Sequence, residues 1–256
     1  MANTFVIALR EGLEASLIVG ILLAYIVKSG RVALRKSIWG GVALAIALSL
    51  AFGALLSFTS ATLSKENEEL FAGVTGLTAV ALVTWMIFWM RKTSRSLRQE
   101  LEAKVSKAIS ASALVFAAFV AVIREGLETS LFLYATFRSG TSALSGSIGL
   151  ALGLAVAIGL GYGIYRGAIK FNLSKFFTLS GIALIFIAAN VLHYSLHELA
   201  ELGLYPEGGE NLSAAVYILV TLAPFIREIP ALFKKSSSGA SPKAADKAEV
   251  PVSAGK

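Results

Sequence analysis

FVIALREGLEASL (residues 5–17) and FVAVIREGLETSL (residues 119–131) are two copies of one segment, 114 positions apart. Each sets Arg-Glu-Gly-Leu-Glu inside an apolar run: Arg10, Glu11 and Glu14 in the first, Arg124, Glu125 and Glu128 in the second. On a helix, residues at i and i+3 share a face, so Glu11 lies near Glu14 and Glu125 near Glu128. Each arginine reaches the second glutamate of its own copy at i+4. Six charges facing lipid would cost about 15–20 kcal/mol, so they must turn toward the bundle interior or a wet cavity. Two arginines leave two carboxylates over, and that surplus asks for a cation. Carboxylate oxygens are hard donors and suit hard cations.

Working outward, the surroundings of both copies are membrane-like. The chain has 256 residues, 56% hydrophobic and 15% charged, with no cysteine. An ordinary soluble domain carries about 25% charged residues. Apolar stretches bounded by charge predict seven helices, at 4–27, 37–61, 70–90, 108–137, 147–165, 176–199 and 212–226. The expected fold class is an all-α polytopic membrane protein of seven transmembrane helices. Helix 2 aligns with helix 5 and, more weakly, helix 3 with helix 6. An odd number of spans per copy inverts the second, which predicts a 3+3 inverted repeat plus a seventh helix, with a site where the halves meet. The expected organisation is repeat 1 at 1–90, a basic cytoplasmic loop at 91–107, repeat 2 at 108–200, an outer loop and helix 7 at 201–227, and a disordered cytoplasmic tail at 228–256.

Sidedness follows from the basic residues. Of 23 lysines and arginines, 19 fall on alternate connections and the C-terminal segment, Arg10 and Arg124 lie inside helices, and only Lys65 and Arg138 face the other side. The positive-inside rule then puts the N-terminus outside and the C-terminus in the cytoplasm of a cell (plasma or inner) membrane. It also accounts for the +7 net charge without nucleic acid. The opposite connections are acidic, with Glu66, Glu68 and Glu69 before helix 3 and Glu201, Glu207 and Glu210 before helix 7. They would concentrate cations there or simply be solvated helix ends.

At the outer end of helix 6, His193 and His197 stand at i and i+4, followed by Glu198 and Glu201. They form a possible outer metal site or an interfacial polar helix end. Trp85 and Trp89 read as interface anchors. Gly12 and Gly126, with Ser16 and Ser130, read as small-residue faces on which the two motif helices approach one another. An ionic lock between helices 1 and 4, or a proton relay, would also account for the buried charges.

The two REGLE motifs make the chain resemble the high-affinity iron permease family, the oxidase-dependent iron transporter of fungi and its bacterial ferrous/ferric permease counterparts. TWMIFWMRK (residues 84–92) and HELAELGLYP (residues 197–206) carry the likeness further. The resemblance implies an iron permease and no enzyme activity. It implies no cofactor, iron being the transported substrate, with Glu11, Glu14, Glu125 and Glu128 as iron ligands and Arg10 and Arg124 as their partners. His197, Glu198 and Glu201 match the outer segment. A separate ferroxidase, peroxidase or extracytoplasmic iron-delivery protein is the implied partner, besides the iron ion and the lipid bilayer. Two alternatives stand beside this reading. One is an intramembrane carboxylate-bridged di-iron oxidase, against which no glutamate has histidine three residues later. The other is a proton-coupled carrier of another divalent metal.

Overall fold

Long apolar runs without a proline or a polar interruption leave the backbone only its own carbonyls to bond, and in lipid that means helix. The computed structural model describes residues 1–30, 32–93, 111–166 and 172–226. Among them are seven α-helices and no strand: α1 (Ala2–Lys28), α2 (Arg35–Thr62), α3 (Lys65–Thr93), α4 (Ala111–Arg138), α5 (Ala143–Tyr165), α6 (Leu173–Glu201) and α7 (Gly209–Ile226). A short 3₁₀ turn, Val32–Leu34, leads into α2. Each expected helix is present. The basic loop beyond Thr93, the start of helix 4 before Ala111 and the tail from 227 onward lie outside the described residues.

Five helices are long and apolar enough to cross a membrane on length and composition. The remaining two, α1 and α4, are 27 and 28 residues long, and each carries three motif charges. The protein is a polytopic helical membrane protein. The largest departure from the expected boundaries is at α3, which begins at Lys65 rather than 70. Glu66 and Glu68 occupy its first turn, where carboxylates favour the positive end of the helix dipole. Hydropathy follows the bilayer and does not register helix that continues beyond it.

Apart from α6 and α7, the main packing partners are not chain neighbours. α1 packs chiefly on α5, α2 on α4, and α3 on α6, while α1 also meets α4 and α7 leans on α6. Exchanging α1, α2 and α3 with α4, α5 and α6 leaves the first four pairings unchanged. Direction follows from the contacts. A Cβ at Gly153 would meet Ala8, whereas one at Gly161 would meet Ser16, so α1 and α5 run parallel. Gly41 lies against Val115 and Gly53 against Ser130, so α2 and α4 also run parallel. The four-residue turn between α4 and α5 reverses the chain, which makes α1 and α4 antiparallel.

The α1–α5 seam explains why α5 is glycine-rich. Gly149, Gly153, Ala157 and Gly161 recur every four residues and are buried as one stripe. A Cβ at Gly153 would stand 2.5 Å from the Phe5 carbonyl oxygen and 3.0 Å from the Leu9 nitrogen. Both are backbone and cannot yield. Gly153→Val should therefore lower stability by about 1–3 kcal/mol, read as a fall in melting temperature in detergent. Gly159→Ala on the same helix, where a Cβ meets nothing within 4 Å, should leave the melting temperature unchanged.

This seam corrects one expectation. Gly12 and Gly126 do not face each other. A Cβ at Gly12 would lie 2.9 Å from Ala157 Cβ on α5, and one at Gly126 would collide with the Ser49 hydroxyl on α2. Ser130 donates a hydrogen bond to the Ser49 carbonyl at 2.9 Å. Each motif helix uses its small face for a helix of the other half of the chain and reserves its charged face for the other motif helix.

Candidate metal site

The motif side chains sit where α1 meets α4, with α3 closing one side. Arg10, Glu11, Glu14 and Glu125 are all buried. Carboxylate oxygens of Glu11, Glu14 and Glu125 lie within 4.8 Å of one another. Ligands around a hard cation at about 2.1 Å stand roughly 3–4 Å apart, so a small closure would complete coordination. Among the described residues, Glu11 Oε2, Glu14 Oε1 and Glu125 Oε2 are buried and accept no hydrogen bond. Carboxylate oxygens buried without a donor are costly, and a cation between them would offset that cost.

The arginines are held differently. Arg10, 1% exposed, bonds Glu11 Oε1 at 3.0 Å and pairs with Glu14 at 3.4 Å. Its Nη1 also donates to Met86 Sδ at 3.0 Å. Arg124 is partly open. Its Nε donates to Glu128 Oε1 at 2.9 Å and stands 4.0 Å from Glu125 Oε1. Of the four expected ligands, three therefore converge, and Glu128 is held by its own arginine. Both i to i+4 pairs expected from helical spacing are present.

That α3 serves both motifs is a finding of the structure. Met86 touches Arg10, and the Arg124 guanidinium lies 5.2 Å from the ring centre of Trp89 and 5.9 Å from that of Trp85. The i, i+4 spacing of the two tryptophans was the available signal, and it reads equally as an interface anchor.

The histidine cluster on α6 is looser. His193 and His197 stack with ring centres 6.4 Å apart. His197 is half exposed; its Nε2 lies 3.4 Å from Glu201 Oε1 and its Nδ1 3.8 Å from Glu210 Oε1. Glu198 turns to Tyr194 instead. Glu210, on the first turn of α7, is the partner that spacing along α6 could not supply. The acidic residues at the start of α3 are partly neutralised. Glu68 pairs with Arg138 at 2.7 Å and Glu69 with Lys65 at 3.5 Å. A cavity of about 230 Å³ lies beside that first pair, lined also by Ser57, Ser60 and Tyr134.

A family model described as the iron permease FTR1 family matches residues 1–220. The chain is 37% identical over 206 residues to the ferrous iron permease EfeU of Yersinia pestis, covering 78% of this chain and 73% of the relative. It is 39% identical over 206 residues to that of Escherichia coli O6:H1 (strain CFT073), covering 78% and 74%. No solved structure matches the chain. A match over most of the length, in a chain whose buried carboxylates converge between two helices, leaves one conclusion: the chain belongs to the iron permease family, a family of transporters and not of enzymes.

Proposed function

We propose that the protein imports iron across the cytoplasmic membrane, N-terminus outside, through a site built from both REGLE helices. The observation that carries this reading is the convergence of Glu11, Glu14 and Glu125 around a single fully buried base, Arg10. Arg10, with Arg124 already held by Glu128, cannot balance the carboxylates in a low-dielectric site, and a hard cation can. Glu128 joins the set when Arg124 moves aside. The matched pairings of the two halves support an inverted repeat whose rocking opens the site first to one side and then to the other. His193, His197, Glu198 and Glu201 serve as an outer collecting site, to which Glu210 adds a carboxylate. The names of the relatives support iron as the ion. A separate oxidase or iron-delivery protein supplies it from outside, and no cofactor resides in the chain. Three converging carboxylates suit one metal better than two, which argues against a di-iron centre.

Purified protein in liposomes provides the test, with iron supplied with and without reductant and with and without a pH gradient. Iron should accumulate inside, and a tenfold excess of manganese should lower its uptake less than twofold. Manganese accumulating as fast as iron would transfer the site to a general divalent carrier. The reductant arm reads the oxidation state that crosses.

A further inference from the structure

Trp85 and Trp89 are large, partly exposed side chains on α3 that the carboxylate site does not itself require. Their rings stack, with centres 6.4 Å apart and planes inclined by 25°. The Arg124 guanidinium lies against both, within the range where a ring quadrupole attracts a cation. Arg10 has a closed setting by contrast, between Met86 Sδ and the Phe177 ring. Arg124 has two carboxylates to choose from, Glu128 at 2.9 Å and Glu125 at 4.0 Å. Moving about 1 Å toward Glu125 would place the guanidinium on the third member of the convergent cluster. The two indole rings, 5.2 and 5.9 Å from the same guanidinium, are the other groups that bear on that choice.

We propose that Trp85 and Trp89 are positioning residues that hold Arg124 on Glu128 and off Glu125, so that Glu125 stays free to bind the transported cation. The proposal rests on the carboxylate cluster being the transport site. Without the indoles, Arg124 leans onto Glu125, neutralises it and competes with the incoming ion. Such competition weakens binding of the ion more than it slows an ion already bound. The tryptophans thus act through Arg124 and touch no substrate themselves.

The test uses the full chain in liposomes. Trp89→Leu should raise the KM for iron roughly threefold to tenfold while kcat stays within twofold, the split expected when only ground-state binding is lost. Trp89→Phe keeps an aromatic face and should bring KM back to within twofold of wild type. A spectroscopic arm uses a Trp39→Phe background, in which Trp85 and Trp89 are the remaining tryptophans. There, adding Arg124→Gln should move the emission maximum, because a cation leaves the indole faces. An uptake curve for Trp89→Leu that overlays wild type would overturn the proposal. So would a Phe variant no better than the Leu variant, or an emission maximum indifferent to Arg124. Failure of the cluster itself has a separate signature, wild-type uptake by Glu14→Gln, so the two ideas fall to different results.

Discussion

Glu14→Gln and Glu125→Gln are expected to reach the membrane at wild-type abundance and to lose at least 99% of iron uptake. The two halves of that expectation come from the same geometry. Each substitution removes one acid from a cluster in which acid exceeds base, so the fold loses little. Glutamine is close in shape, and its carbonyl dipole still faces Arg10 at position 14. Transport depends on anionic oxygens meeting one cation, and a neutral amide oxygen is a far weaker ligand. Changes one shell further out already cost metal sites about 10–100-fold, so loss of a direct ligand should cost at least that. Radio-iron uptake normalised to protein in the membrane decides the matter. Uptake near wild type by both variants would remove these glutamates from the path.

Arg10→Leu should have the opposite profile, a failure of folding before any failure of transport. Among the described residues, Arg10 is the only base in contact with both Glu11 and Glu14, at 3.0 and 3.4 Å, and it is almost wholly enclosed. Removing one partner of a buried ionic group leaves uncompensated charge and costs about 3–5 kcal/mol. Protein in the membrane should fall severalfold, and what remains should melt at lower temperature. Adding Glu11→Gln and Glu14→Gln to Arg10→Leu removes the orphaned acids and should restore abundance without restoring uptake. Normal abundance and stability of Arg10→Leu alone would mean that the acids are compensated from elsewhere.

The sequence was most informative where chemistry and burial conflict. Charged residues at 10, 11, 14, 124, 125 and 128 inside apolar runs demand one another, and the structure brings Glu11, Glu14 and Glu125 together, with Arg10 on the first two and Arg124 between Glu125 and Glu128. Helix number was equally legible, because apolar length is a direct measure of span. Partner choice was not. Gly12 and Gly126 announce that something comes close, but a missing side chain says nothing about what fills the space. Ala157 and Ser49 could not be named in advance. Trp85 and Trp89 were hidden for a related reason: an aromatic pair near a helix end satisfies an interface and a guanidinium alike. Glu210 was out of reach because its histidine partner lies on another helix, and spacing arguments hold only within one.

The crossed pairing of helices also bears on how the chain is made. α1 finds its main companion, α5, only after residues up to 165 have been synthesised, and α2 must wait for α4. Through that interval the first motif, two acids to one base, sits in a newborn segment whose packing partners do not yet exist. Biogenesis must therefore shelter α1 at the insertion machinery or keep it shallow until the second half arrives. Neither half supplied alone should settle into a stable unit, whereas the two produced together as separate polypeptides should find each other.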